Sequence, residues 1–314
     1  MIVWNTFDDI PGCFCHSVIA LGMFDGLHIG HQKVIMTAKS LANKYNLPLA
    51  VMTFSNHPLS IINPDISPLL INDISERHEL FENFGVEYLL ETAFDHDLMK
   101  IEPDDFVKRV HDCFSPSFIV VGPNYSFGNN GKGTPELICN IGEKYGIKVI
   151  VCEPVSFDGE MVSSTRIRKA LLEGNIEEVN HCLGRGYSIT GVVSHGDERG
   201  RAIGYPTANI NLDDKKAIPV DGAYASKVFA DGKCYAGMAN IGTNPTFGNA
   251  ARRLEVHLLD YEGNLYGRTI KVSFIKLLRH EVRFSSIDEL VGQLKRDELA
   301  TCRILKSLHE SMPE

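Results

Sequence analysis

Gly22-x-Phe24-Asp25-Gly26-x-His28-x-Gly30-His31 gathers three glycines and two histidines in a short stretch. An apolar run from Val18 to Leu21 precedes it and reads as a buried strand. Val34, Ile35, Ala38, Leu41 and Ala42 follow at helical spacing. A loop between a strand end and a helix start is a natural anion site, because the first helical N–H groups are unpaired and lie at the positive end of the helix dipole. Glycine lets the backbone come close to a ligand, and His28 and His31 add two donors on one side of the turn. The Gly-Lys-Ser/Thr ending of a Walker loop is missing, so the expected chemistry is phosphate handling of another type. Asp25, His28 and His31 could instead hold a catalytic metal, as in a hydrolase. The three glycines are better explained by phosphate approach.

Two further stretches carry the same kind of chemistry. Ser163-Ser164-Thr165-Arg166-Ile167-Arg168 starts a helical pattern. Simple capping would account for its hydroxyls, but Arg168 lies one turn on and can join them at one anion. The segment Gly191 to Asn209 is a glycine-rich, basic turn between two strands, with Gly196, Gly200 and Arg201 at its centre. It runs into Pro206-Thr207-Ala208-Asn209, whose Thr207 and Asn209 point the same way in an extended chain. Two neutral oxygen ligands so placed suit a magnesium ion that also takes phosphate oxygens.

The elements that must position these residues fall into two textures, and 314 residues exceed what one core usually covers. Up to about residue 184, strand-like and helix-like patterns alternate. Strands are expected at Val18–Leu21, Leu49–Phe54, Tyr88–Leu90, Phe118–Val121 and Ile147–Val151, and helices near Ser75–Phe84, Pro103–Phe114 and Pro135–Tyr145. Continuously apolar strands in such a series mean a parallel sheet covered on both faces, with ligands beyond the carboxyl ends of the strands. A short helix from Ile176 leads to a break at Leu183-Gly184-Arg185-Gly186. Beyond it, short β-type runs separated by glycine turns indicate an antiparallel barrel. A final helix from Ser286 is expected to carry a Ser286-x-x-Glu289 capping box and an apolar face of Ile287, Leu290, Val291 and Leu294. The domains are therefore 1–184 and 185–314.

Composition narrows the class. The chain is 44% hydrophobic with a net charge of −9, which disfavours a nucleic-acid surface but allows a local basic pocket. No stretch reaches membrane-spanning length, and the N-terminus is not a signal peptide. Eight scattered cysteines read as reduced, mostly buried thiols of a cytoplasmic protein. Cys13-x-Cys15 without partners makes a weak metal case. The oligomeric state is not encoded in any pattern of this kind.

The first motif resembles the signature of HxGH nucleotidyltransferases. Its Phe-Asp-Gly form, with the Ser-Ser-Thr-x-x-Arg element, resembles the FMN adenylyltransferase module of bacterial bifunctional FAD synthetases. The Gly191–Asn209 segment, with its Pro-Thr-Ala-Asn core, resembles the riboflavin kinase signature. The Asn240–Gly248 stretch, the strand Leu254–Asp260 and Arg279-x-Glu281-x-x-Phe284 are similar to the kinase elements that follow. The resemblance covers nearly the whole chain. It implies a Rossmann-like α/β nucleotidyltransferase domain followed by a small antiparallel β-barrel with a C-terminal helix. It implies an enzyme that phosphorylates riboflavin to FMN in the C-terminal domain and adenylylates FMN to FAD in the N-terminal one, with ATP and Mg2+. By the same resemblance His28 and His31 stabilise the ATP phosphates. Gly22, Phe24, Gly30, Ser164, Thr165 and Arg168 bind ATP in the first domain, as Gly196, Gly200 and Arg201 do in the second. Asn124, Arg279 and Phe284 contact flavin, Thr207 and Asn209 hold the metal, and Glu255 is the base toward the ribityl 5′-hydroxyl. Asn56 stands where the family more often has proline before His-Pro, leaving His57 between a site role and packing. Two rival readings stand beside it. A kinase with a decayed partner domain is disfavoured by His28, His31, Thr165 and Arg168, and a flavin-binding regulator by Thr207, Asn209 and Glu255.

Overall fold

The structure is a computed structural model and describes residues 1–12, 14, 16–196, 199–243 and 252–310. Residues 1–164 and 165–314 form two compact units. The first is built on six parallel strands: β1 (Ile2–Trp4), β2 (Ser17–Leu21), β3 (Leu49–Phe54), β4 (Tyr88–Thr92), β5 (Pro116–Val121) and β6 (Lys148–Val151), in the order β1-β4-β3-β2-β5-β6. The helices α1 (Ile29–Tyr45), α2 (Leu59–Ile62), α3 (Ile74–Asn83), α4 (His96–Lys100), α5 (Pro103–Phe114) and α6 (Pro135–Lys144) lie between them. Both faces of the sheet are covered, which is why its strands are continuously apolar. Val18 and Ala20 pack with Val34, Ile35 and Ala38 of α1 on one face. Ile19 and Leu21 pack with Phe106, Val110 and Ile138 of α5 and α6 on the other. The strand order reverses between β2 and β5, so the loop after β2 opens at the switch point of the sheet.

A two-stranded hairpin, β7 (Ser156–Phe157) and β8 (Glu160–Met161), precedes α7 (Ser164–Glu173). In the second unit, α7 is followed by α8 (Ile176–Leu183), β9 (Ser188–Ser194), the short α9 (Arg199–Ala202), β10 (Ala208–Asn211), β11 (Gly222–Ala230), β12 (Lys233–Thr243), β13 (Arg252–Leu258), β14 (Thr269–His280) and α10 (Ile287–Glu310). The strands close into an antiparallel barrel, β10-β13-β12-β11-β14-β9. Along β13, Leu254, Val256 and Leu258 are buried while Glu255 and His257 are only half-buried. The helices α7 and α8 are tied to the barrel by Val220 N donating to Leu171 O (3.0 Å) and by Asn180, whose amide bridges Phe274 O (2.9 Å) and Tyr187 N (2.7 Å).

Three expectations change. The apolar face expected on α10 is wrong in its first residue, because Ile287 is exposed. The buried stripe runs instead through Asp297, Thr301 and Leu305, two of them polar, and Asp297 is accommodated by the Nε of Arg279 at 3.0 Å. The capping box slips by one residue: Ser286 Oγ accepts from Glu289 N, while the Glu289 carboxylate accepts from Ser285 N and Oγ. The cysteines are not mostly buried. Cys152 and Cys182 are, whereas Cys234 and Cys302 are exposed, and Cys13 and Cys15 lie outside the described residues.

Candidate active sites

The loop after β2 holds an unusual backbone. Phe24 (φ 49°), Gly26 (φ 82°) and Leu27 (φ 42°) are all left-handed, a conformation that costs a non-glycine residue about 1–2 kcal/mol. Its bonds come from several directions. Thr53 Oγ1 donates to Met23 O (2.8 Å) and Gln32 Nε2 to Leu27 O (2.9 Å), while Ser164 Oγ donates to Asp25 O (2.8 Å). The loop ends at His28, the N-cap of α1, whose Nδ1 accepts from His31 N at 3.2 Å. That bond puts the proton of a neutral His28 on Nε2, making it a donor, and leaves the N–H groups of Ile29 and Gly30 at the open helix start. The two imidazoles stack with centroids 3.6 Å apart and planes at 17°. A Cβ on Gly30 would press on the His28 ring at 3.0 Å, so glycine is what lets the rings lie over the helix start. Burial, and secondarily the adjacent His28, hold the His31 pKa well below its usual 6.5. His31 Nδ1 is buried without a hydrogen-bond partner. The stacked imidazoles and the helix N–H groups at this open start offer an incoming polyanion a set of donors.

Not every expected residue faces that anion site. The Phe24 ring is buried in the core, edge-on to His31 (5.5 Å) and Phe81 (5.9 Å), so it supports His31 and offers no surface to ATP. On Gly22, a Cβ would meet that same ring at 3.0 Å. Ser164 opens α7 and gives its single hydroxyl proton to Asp25 O, so it secures the loop. Thr165 and Arg168 follow on α7. Asn124 is exposed on the loop after β5, which is fixed by Phe127 and Gly133 exchanging backbone bonds and by Tyr125 stacked on Phe127. Asn56 replaces the family proline with a clamp: it accepts from Phe94 N (2.8 Å) and donates to Phe94 O (3.0 Å). His57 Nδ1 accepts from Leu59 N at 3.1 Å, a local capping role. The metal alternative fails, since among the described residues no cluster of His, Cys, Asp or Glu could hold an ion.

In the barrel, register does the assembling. Asn209 of β10 lies opposite Glu255 of β13, and Glu255 lies opposite Asn240 of β12. Glu255, Asn240 and Glu281 line one cleft of about 130 Å³. A second cleft of about 330 Å³ is lined by Arg201, Thr207, Val193, Tyr261 and Tyr266. Asn209 is buried, and its Oδ1 has no hydrogen-bond partner. A neutral oxygen without a donor, two residues from the Thr207 hydroxyl, fits a hard cation. Gly196 passes directly over it, for a Cβ there would meet Asn209 Cγ at 2.6 Å. At Gly200 a Cβ would collide with Tyr205 O. Arg279 is committed to Asp297 and lies 5.5 Å from the centroid of Phe284. Asn244 to Gly248 of the resembling stretch lie outside the described residues. Asn240 and Glu281 entered the sequence reading only as parts of motifs; strand pairing brings Asn240 opposite Glu255, and Glu281, just past the end of β14, joins them in lining the cleft.

A parallel sheet with an open helix start at its switch point, followed by a closed barrel in which a carboxylate lies in register with a buried amide oxygen, is the frame of a two-module phosphate-transferring enzyme. Comparison with known proteins makes this specific. The FAD synthetase family matches residues 11–166 and the riboflavin kinase family residues 183–305. Proteins described as bifunctional riboflavin kinase/FMN adenylyltransferase from Bacillus subtilis and Escherichia coli K12 are each 37% identical to this chain. The first covers 94% of both chains and the second 90% of both. A crystal structure from Streptococcus pneumoniae, described as a macrolide-efflux protein, superposes with a TM-score of 0.88 at 37% identity, covering 96% of this chain and 98% of that one. The chain belongs to the bifunctional riboflavin kinase/FMN adenylyltransferase family. Among the described residues no helix is long and apolar enough to cross a membrane.

Proposed function

We propose that the two reactions of the family are divided between residues 1–184 and 185–314, with the site residues named above in the roles that follow. The chain is a bifunctional transferase that makes FMN from riboflavin and FAD from FMN, using ATP and a divalent cation. In the kinase module, Glu255 accepts the proton of the ribityl 5′-hydroxyl as that oxygen bonds to the γ-phosphorus and ADP leaves. Thr207 and Asn209 are the protein ligands of the cation, for which we propose Mg2+; when bound, it neutralises charge on the transferring phosphate. Gly196, Gly200 and Arg201 cradle the phosphates over the larger cleft, and Arg279 with Phe284 borders the flavin. The observation that carries this assignment is the buried, partnerless Oδ1 of Asn209 in register with Glu255.

In the adenylyltransferase module, an FMN phosphate oxygen bonds to the α-phosphorus of ATP and the bond to the β-phosphate breaks, releasing pyrophosphate. The attacking phosphate has a second pKa near ~6 and needs no base. What the chain supplies is donors toward the departing charge: His28 Nε2, His31 and the N–H groups of Ile29 and Gly30. Thr165 and Arg168 are proposed as triphosphate contacts and Asn124 as a flavin contact. We place the enzyme in the cytoplasm, in keeping with the unpaired cysteines among its described residues.

Glu255→Gln tests the division. Chromatographic separation of products should show no FMN from riboflavin, while supplied FMN is still converted to FAD. Equal loss of both conversions would overturn the two-site assignment.

A further inference from the structure

We infer that Asp25 is a positioning residue of the adenylyltransferase site, its carboxylate fixing the strained loop before His28 by accepting a hydrogen bond from a distant segment. The inference rests on the N-terminal unit being the adenylyltransferase. Asp25 is 2% exposed, although it sits in the middle of a glycine-rich loop. Its Oδ1 accepts from Ile71 N at 2.9 Å, across 46 residues of chain. Its own carbonyl accepts from Ser164 Oγ. One residue thus joins three segments: the loop after β2, the stretch leading into α3, and the start of α7.

The packing around it gives this junction a purpose. Phe24 and Leu27, left-handed and not glycine, would relax if released. The neighbour Gly26 is left-handed as well, and the Ile71 side chain fills the space above it: a Cβ there would meet Ile71 Cδ1 at 3.0 Å. Asp25 and Gly26 therefore hold Ile71 from two sides: the Asp25 carboxylate accepts from the Ile71 amide, and Gly26 lies against the Ile71 side chain. Three residues on, His28 must present Nε2 and the helix start at a fixed place. A displacement of about 1 Å in such a group costs on the order of 10²-fold in rate. The Ile71 amide needs only an acceptor oxygen, which an asparagine side chain also carries.

The test uses the full-length chain with Asp25→Ala and Asp25→Asn. For each, kcat and KM for FAD formation from FMN and ATP are measured beside the riboflavin kinase reaction of the same molecule. Hydrogen exchange at the Ile71 amide provides a reading that does not depend on activity. Asp25→Ala is expected to lose roughly 100-fold in kcat for FAD formation, with the kinase reaction unchanged and Ile71 protection lost. Asp25→Asn should restore Ile71 protection and bring kcat back to within about tenfold of the parent. The inference is overturned if Asn is as impaired as Ala while Ile71 stays protected, since the charge would then be what matters. It is equally overturned if Ala leaves FAD formation intact. Failure of the parent chain to make FAD from FMN would instead refute the function assigned to this unit.

Discussion

Glu91→Gln should destabilise the N-terminal unit severely, although Glu91 lies outside the proposed chemistry. Glu91 of β4 is 5% exposed and binds the guanidinium of Arg77 of α3, itself 2% exposed. Its other oxygen meets His78 Nε2 at 2.9 Å. Removing one partner of a buried pair strands the other charge, at about 3–5 kcal/mol. The Nε of Arg77 is already buried without a hydrogen-bond partner, so the guanidinium has no reserve donor-acceptor contact there to fall back on. With a urea m-value of about 2 kcal/mol per M, the unfolding midpoint should fall by about 1.5–2.5 M. The assay is selective, because Trp4 is the chain's one tryptophan and stacks on Tyr88 at 5.3 Å inside the first unit. Its fluorescence reports that unit and not the barrel. Arg77→Met should cost less than Glu91→Gln, since His78 Nε2 remains within hydrogen-bond distance of the carboxylate. The double variant Arg77→Met/Glu91→Leu should recover most of the loss, as apolar replacement of a whole buried pair is often neutral. A midpoint shift below about 0.3 M for Glu91→Gln, or a double variant as unstable as the single, would refute the reasoning.

Acid should weaken the same unit through His31. A folded-state pKa held below the usual 6.5 means that the unfolded chain binds the proton more readily, so stability is full above pH 6.5 and declines as pH falls toward the native value. The slope reaches about 1.4 kcal/mol per pH unit at most, and the Trp4-monitored difference between the parent and His31→Gln between pH 7.5 and 5 should display it; parallel curves would count against it. Gly196→Ala should cut riboflavin kinase kcat/KM by roughly 10- to 100-fold, because the added methyl displaces the Asn209 amide. FAD formation from FMN should be untouched, and an equal effect on both reactions would argue against a role confined to the barrel. Gly30→Ala should do the converse, lowering FAD formation by pushing the His28 ring while sparing the kinase; product chromatography from riboflavin and from FMN distinguishes the two.

By itself the sequence determined what is local. Helix and strand periods act over a few residues, so β3, α5 and α8 are legible to the residue. A motif that works within one turn is equally legible: the spacing sets His28 and His31 on one side of the turn and they stack there, although the capping of α1 by His28 Nδ1 appears only in the structure. The three-residue β1 is not, because its pairing with β4 leaves no period to read. Pro-Thr-Ala-Asn reads as extended chain, but that Asn209 meets Glu255 depends on the register of β10 on β13. Tertiary structure alone decided how polar groups were satisfied at a distance. It sent the Ser164 hydroxyl to Asp25, turned Arg279 to Asp297, buried Phe24 beneath the histidines and placed polar Asp297 and Thr301 on the inner face of α10. The physical reason is that a side chain's hydrogen-bond partner is chosen by the packing of segments far apart in the chain, and no spacing along the sequence carries that choice.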